Sequence, residues 1–271
     1  MLKIIITGAA GRMGRRLVTH VVEDNDLQLI GATEYPGSPY IGQDAGAVAG
    51  VGELNIPILE DMDIAIKHAD VVVDFSTGDV LGNARLAAAH NVASVIGTTA
   101  LTDADKAELQ SLAADGARIV YTTNYSIGVN MLFHLAELTA KALPDDFDIE
   151  VIEAHHNKKK DAPSGTAMSL AEILCKARAL SVEEDLRHGR QGLVGARTRQ
   201  EIGMHSIRGG DIVGDHTVLY AAEGERIELT HRASSRDTFV RGALRAARYI
   251  AKAPGGRVYN MKDVLADLLG C

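Results

Sequence analysis

The chain opens on the segment Leu2-Lys3-Ile4-Ile5-Ile6-Thr7, apolar through its centre, too short for a helix and followed at once by Gly8. A run of that length bounded by glycine reads as a strand buried on both faces. Leu17, Val18, Val21 and Val22 then recur at helical spacing, and residues 27–33 form a second apolar strand ending on Glu34. The alternation continues with strands at 69–76, 93–99 and 118–126 and a helix over about 79–90. Strands and helices in this order predict an α/β domain, a Rossmann-like doubly wound parallel sheet.

After residue 126 the texture changes. A helix over about 128–143 stops before Pro144, and 147–153 begins with the polar and apolar alternation of a half-buried strand. Charge and glycine dominate 181–211, which predicts a long loop or short edge strands, and 212–222 and 225–232 read as two strands joined around Gly224. This is a second α+β domain with a largely antiparallel or mixed sheet. An amphipathic helix at 237–251 and a last one capped by Asn260 return the chain to the first domain, so the expected division is 1–126 with 237–271 against 127–236.

Composition narrows the class. With 271 residues and 46% hydrophobic content, two packed cores are within reach, and a net charge of −8 argues against a nucleic-acid-binding surface. Cys175 and Cys271 are the only cysteines, so neither a disulfide framework nor a metal site is expected. Met1 runs straight into the first strand and no apolar run is long enough to span a bilayer, which points to a cytoplasmic chain without a membrane partner.

Two segments carry chemistry. The turn Gly8-Ala9-Ala10-Gly11-Arg12-Met13-Gly14 sits between strand and helix, where small residues let a backbone approach a pyrophosphate at a helix start. Its spacing is Gly-x-x-Gly-x-x-Gly rather than the commoner Gly-x-Gly-x-x-Gly, but Glu34 follows about twenty positions on, where a ribose-binding acid belongs. Glu34 would repel a 2′-phosphate and Tyr35 after it offers no positive charge, which favours NADH over NADPH; Arg12, Arg15 and Arg16 pull the other way. Ligands lie at the carboxyl ends of such strands, so Phe75, Gly97, Thr98, Thr99 and Asn124 fall on the nicotinamide side.

The second segment, residues 153–166, brings together His155, His156, Lys158, Lys159 and Lys160, followed by the helix start Ser164-Gly165-Thr166. Imidazoles exchange protons near neutral pH, ammonium groups hold carboxylates and give protons, and free amides at a helix start attract an anion. A lysine run alone is more often a solvated loop, and Ser-Gly-Thr alone a helix cap. Together with two histidines they predict a site where a small anion undergoes proton transfer.

GAAGRMG at 8–14, GTT at 97–99, NYSIGVN at 124–130, EAHHNKKKDAPSGT at 153–166, GDIVGDHTV at 210–218 and HRASSRDTF at 231–239 together resemble the 4-hydroxy-tetrahydrodipicolinate reductase (dihydrodipicolinate reductase) family, nearly end to end. The resemblance implies an oxidoreductase of the diaminopimelate and lysine pathway that reduces a cyclic, unsaturated dicarboxylate with NADH or NADPH. It implies His155 as proton donor or acceptor and Lys159 as principal proton donor, with Lys158 and Lys160 as flanking alternatives. His156, Gly165 and Thr166, with Ser164 at the same helix start, would hold the substrate's carboxylates. Gly8, Ala9, Ala10, Gly11, Arg12, Met13, Glu34, Gly97, Thr98, Thr99, Thr122, Thr123, Asn124 and Tyr125 match cofactor contacts. It also implies a homotetramer assembled through the second domain's sheet, and hinges near 126 and 236. Two rivals, a dehydrogenase for another small oxo-acid or sugar and a non-catalytic NAD sensor, leave the histidine and lysine cluster without a use.

Overall fold

The computed structural model describes residues 1–270; Cys271 lies outside the described residues. In chain order the elements are β1 (Leu2–Thr7), α1 (Arg12–Val22), β2 (Leu27–Thr33), α2 (Ala45–Ala49), β3 (Ile58–Leu59), β4 (Val71–Asp74), α3 (Val80–Ala89), β5 (Ala93–Ile96), α4 (Asp103–Ala114) and β6 (Ile119–Tyr121). They continue with α5 (Ile127–Ala142), β7 (Asp148–His155), α6 (Gly165–Arg178), α7 (Val182–Asp185), β8 (Leu186–His188), β9 (Ile202–Arg208), β10 (Gly214–Ala222), β11 (Glu225–Ala233), α8 (Asp237–Ile250), β12 (Val258–Tyr259) and α9 (Met261–Leu269). The chain forms two compact units, one of residues up to Ile127 together with those from Asp237 onward, the other Gly128–Arg236.

The first unit is built on a seven-stranded sheet in the order β12-β6-β5-β4-β1-β2-β3, every pairing parallel. The apolar triplet Ile4-Ile5-Ile6 within β1 has a simple cause: Ile4 and Ile6 face one layer with Val71 and Val73, while Ile5 faces the other with Val72 and Met62. Each fully buried side chain of this kind stabilises the fold by about 1.5–3 kcal/mol. The strand order reverses beside β1, whose neighbours are β2 and β4, and that reversal opens a crevice at the strands' carboxyl ends. The helix α8 packs on the layer of Ile4 and Ile6, with Val240, Ala243, Leu244 and Ala247 in the same core. Periodicity passed over α2, β3, α4 and β12, of which three are five residues or fewer; α4 opens on a Thr102 and Asp105 capping box.

The second unit holds a five-stranded sheet in the order β11-β10-β7-β9-β8. It is mixed, with β7, β10 and β11 antiparallel but β7 with β9 and β8 with β9 parallel. Its inner face and the helices α5 and α6 share one core, through Val151, Met204, Val218, Leu132, Leu170 and Leu174. Cys175 is buried in that core, and burial pushes its thiol up to about 11, so it behaves as a small apolar residue.

One expectation is corrected here. Within 181–211, read as loop or edge strands, β9 is an inner strand paired on both sides, and only β8 lies at the edge. The segment before it looks like loop because its charges serve the sheet: Arg190 and Arg197 both reach Glu150 on β7, at 2.8 and 2.9 Å, and Arg190 also holds Glu201 at 2.7 Å.

Candidate active site

In the first unit the glycine turn is shaped by close approach. Gly8 has φ +65°, a conformation side chains disfavour, and a Cβ on Gly14 would stand 2.1 Å from the Gly8 carbonyl oxygen. Gly11, at the helix N-cap, supplies no capping side chain, so the first amides of α1 are left for a ligand. The Glu34 carboxylate, at the end of β2, accepts from the Ala10 amide at 2.9 Å and is thereby fixed beside the turn. The backbone fits a dinucleotide pyrophosphate, and Glu34 fits a ribose.

The three nearby arginines differ. Arg15 donates to the Ala10 carbonyl at 2.7 Å and lies over the Tyr40 ring, and Arg16 grips Asp237 with two bonds of 2.8 and 2.6 Å. Arg12 is exposed and makes no hydrogen bond or ion pair with the described residues.

The remaining candidates lie at strand exits. Gly97 packs on the Phe75 ring, Thr98 is buried, and Thr99 and Thr123 are exposed. Thr122 and Asn124 hold one turn, the Asn124 amide donating to Thr122 Oγ1 at 3.3 Å and the Ser126 amide to Asn124 Oδ1 at 2.9 Å. Tyr125 is different. Its side chain is fully buried against Phe75, and its hydroxyl donates to the carbonyls of Ile96 and Val120, so only its backbone remains for a ligand. Asp74, which the sequence reading did not single out, ties the β4 exit together by accepting from the Ser76 amide and the Asn83 side chain, both at 2.8 Å.

The second unit changes character along its sheet. The inner face is apolar at one end, through Ile149, Val151, Val218 and Tyr220, and polar at the other, where His231, His216, Glu153 and Ser206 lie in register across four strands. His155 ends β7 on this face, two residues beyond Glu153, and its Nδ1 lies 2.6 Å from Glu153 Oε2. Burial drives Glu153 upward, but bonds from Arg208, His155 and Ser206 outweigh it and hold the acid at about 2. An ionised carboxylate only accepts, so the proton of the short bond sits on His155 Nδ1. Burial, with Lys159 and Arg208 nearby, also lowers the affinity of the ring for a second proton, against the pull of Glu153. His155 is therefore a neutral imidazole with a bare Nε2, and Gly214 stands against that atom: a Cβ there would lie only 3.1 Å away.

The lysines separate as well. Lys158 and Lys160 are exposed, whereas Lys159 is half-buried with its Nζ 2.8 Å from Asp161 Oδ2. Its charge is felt at both His155 and His216, so the structure brings Lys159 to the imidazoles. His156 presents a buried Nδ1 with no partner among the described residues, and so do His216 and His231. Ser164 is buried and already used: its hydroxyl accepts from the Ala167 amide at 3.2 Å as the cap of α6 and meets His216 Nε2 at 3.1 Å. Gly165 and Thr166 begin α6, where Gly165 is exposed with open space around it. His216 is 3% exposed, and burial, reinforced by His155, pushes it down to about 4.

Comparison with known proteins agrees with both halves of this geometry. The family model described as dihydrodipicolinate reductase, N-terminus, matches residues 2–125, and that described as dihydrodipicolinate reductase, C-terminus, matches residues 128–265. The chain belongs to the dihydrodipicolinate reductase family. A 4-hydroxy-tetrahydrodipicolinate reductase of Syntrophotalea carbinolica is 48% identical, over 98% of this chain and 99% of that protein. One from Methanobrevibacter smithii is 46% identical over the same shares. Among solved structures, the dipicolinate-bound dihydrodipicolinate reductase of Paenisporosarcina sp. TG-14 shares the fold with a TM-score of 0.77 at 24% identity, covering 96% of this chain and 97% of that one. A member of this family is an oxidoreductase that works with a nicotinamide dinucleotide. Glu153, Arg208 and His216 had no role in the sequence reading. Their only signal was position: Glu153 two residues before His155, Arg208 just ahead of the segment at 210–218, and His216 inside that segment.

Proposed function

We propose that this chain reduces 4-hydroxy-tetrahydrodipicolinate, which is dihydrodipicolinate once water is lost, to tetrahydrodipicolinate in the diaminopimelate and lysine pathway. The observation that carries the reading is the pairing of a half-buried ammonium, Lys159, with a neutral, oriented imidazole, His155, beside the start of α6. A reduced nicotinamide dinucleotide, its pyrophosphate held at the glycine turn, would supply the hydride. The protein's own groups do the rest. His156 and the first turn of α6 at Gly165 and Thr166 grip the substrate's carboxylates. Lys159 donates the proton that balances the hydride, and His155 Nε2 accepts a hydrogen bond on the same side. Holding the ring in one orientation removes much of the entropic barrier.

Residues 1–126 with 237–271 serve as the dinucleotide-binding domain and 127–236 as the substrate-binding domain. NADH is the better cofactor in this reading, because Glu34 is fixed at the turn and Arg15 and Arg16 are already engaged. Assembly is a homotetramer through the outer face of the five-stranded sheet, where Ile207 is 51% exposed. The enzyme is cytoplasmic, in keeping with the absence, among the described residues, of any helix long and apolar enough to cross a membrane.

The test is direct. Purified protein mixed with NADH and freshly generated cyclic dicarboxylate should consume nicotinamide absorbance, and should leave it unchanged with simple oxo-acids or sugars. No oxidation with the dicarboxylate overturns the reading. A kcat/KM clearly higher with NADPH overturns the assignment of Glu34.

A further inference from the structure

Glu153 is the most deeply buried acid of the second unit and carries four hydrogen bonds of known length. Its Oε2 meets His155 Nδ1 at 2.6 Å and Arg208 Nη1 at 2.9 Å, and its Oε1 accepts from Arg208 Nη2 at 2.8 Å and from the Ser164 amide at 3.3 Å. Taking a carboxylate and a guanidinium out of water costs more than an apolar pair of the same volume, so stability alone is a poor reason for this arrangement. Its consequences lie in the site. The same Arg208 Nη2 that holds Glu153 also donates to the Asp161 carbonyl at 2.6 Å, and Asp161 is the residue whose carboxylate holds Lys159. One guanidinium thus joins the acid behind the imidazole to the acid beside the lysine.

We propose that Glu153 is a positioning residue of the reaction: with Arg208 it locks His155 as the Nδ1–H tautomer, so that Nε2 faces the substrate as an acceptor, and fixes the Lys159 loop relative to that ring. This rests on the reading of His155 and Lys159 as the proton-handling pair. The groups that face His155 are Glu153 from its own strand, Arg208 from β9, His216 from β10 with ring centroids 5.2 Å apart, and Lys159 from the loop. Only Glu153 among them accepts a hydrogen bond from Nδ1. Replacing it with glutamine leaves one amide oxygen, which Arg208 claims, and turns the amide nitrogen toward Nδ1. The imidazole must then carry its proton on Nε2 and cannot accept there.

The experiment uses the full-length protein with nitrogen-15-labelled histidine, assigned through the loss of one ring signal in His155→Gln. Wild type is expected to show a protonated Nδ1 and a bare Nε2 at His155, and Glu153→Gln the reverse. With it, kcat should fall by about a thousandfold or more, as when the acid behind a catalytic histidine becomes an amide, while NADH affinity stays within twofold. Glu153→Asp, which keeps the charge, should recover part of the kcat. A wild-type ring protonated on Nε2 overturns the proposal, and needs no variant to fold. Full turnover in folded Glu153→Gln overturns it while leaving the functional reading intact, provided His155→Gln is impaired. Full turnover in His155→Gln removes the functional reading and the proposal together.

Discussion

Glu150 and Glu153 stand three residues apart on β7, on opposite faces of one sheet, and both carboxylates are held at about 2. In each case burial pushes the acid up and arginine and histidine bonds more than reverse it. Glu153 serves the inner, polar end of the sheet, and Glu150 pins the segment before β9 through Arg190, Arg197 and His205.

The first prediction concerns Glu150. Its folded value lies below the ordinary 4.5, so the stability it contributes is complete above about pH 4.5 and is lost as pH falls toward 2. Glu150→Ala takes one carboxylate from Arg190 and Arg197 but leaves them Glu201 and Asp148, and should cost about 1–3 kcal/mol at pH 7. Urea unfolding should show that deficit shrinking between pH 4.5 and 2.5, and a constant deficit would mean the charge is not its source.

His216 acts over a different range. Its folded value of about 4 lies below the ordinary 6.5, so the unfolded chain binds a proton first, and stability falls as pH drops from 6.5 to 4. The full effect is at most about 3 kcal/mol. His216→Gln should flatten the stability curve in that window, which chemical denaturation at half-unit pH steps would reveal.

Lys159→Ala should lower kcat by about 10²–10⁴-fold, the usual worth of a positioned proton donor, with NADH binding unchanged. The same change at Lys158 or Lys160, both exposed, should cost less than threefold. Equal losses at all three would return the lysine run to a general electrostatic role.

Gly14→Ala tests the turn. Its methyl would press on the Gly8 carbonyl, and the turn would open at a cost of about 1–3 kcal/mol. Fluorescence titration should show NADH binding weakened at least tenfold, with the second unit's histidine signals undisturbed.

Glu34→Ala should weaken NADH by about tenfold and narrow the gap to NADPH, since the acid that repels a 2′-phosphate is gone. Arg12→Ala should then weaken NADPH in that variant, because Arg12 is the arginine of the turn left without a partner among the described residues. Paired KM values for the two cofactors check both.

Much of this molecule was legible along the chain. The buried strands of the first unit announce themselves because both faces are covered, which gives β1 and β4 the apolar triplets Ile4-Ile5-Ile6 and Val71-Val72-Val73. The glycine turn and the cap at Ser164 are likewise local, since their geometry is set by neighbours within a few residues. By contrast β9 was hidden: its buried half, Ile202 to Met204, is short, and the charges around it looked like a solvent-exposed loop until they were seen reaching back to β7.

The site divides in the same way. Sequence by itself determined which residue types are present, where two imidazoles and three ammonium groups fall beside a helix start, and so which chemistry the segment can perform. Only the tertiary structure decided which of them act together. It half-buried Lys159 and left its neighbours in water, committed the Ser164 hydroxyl to a cap, turned Tyr125 into the core, and set Arg208, distant in the chain, against Glu153. The reason is that proton affinity and tautomer depend on burial and on through-space partners, and strand pairing supplies those partners from positions that no local spacing can reveal.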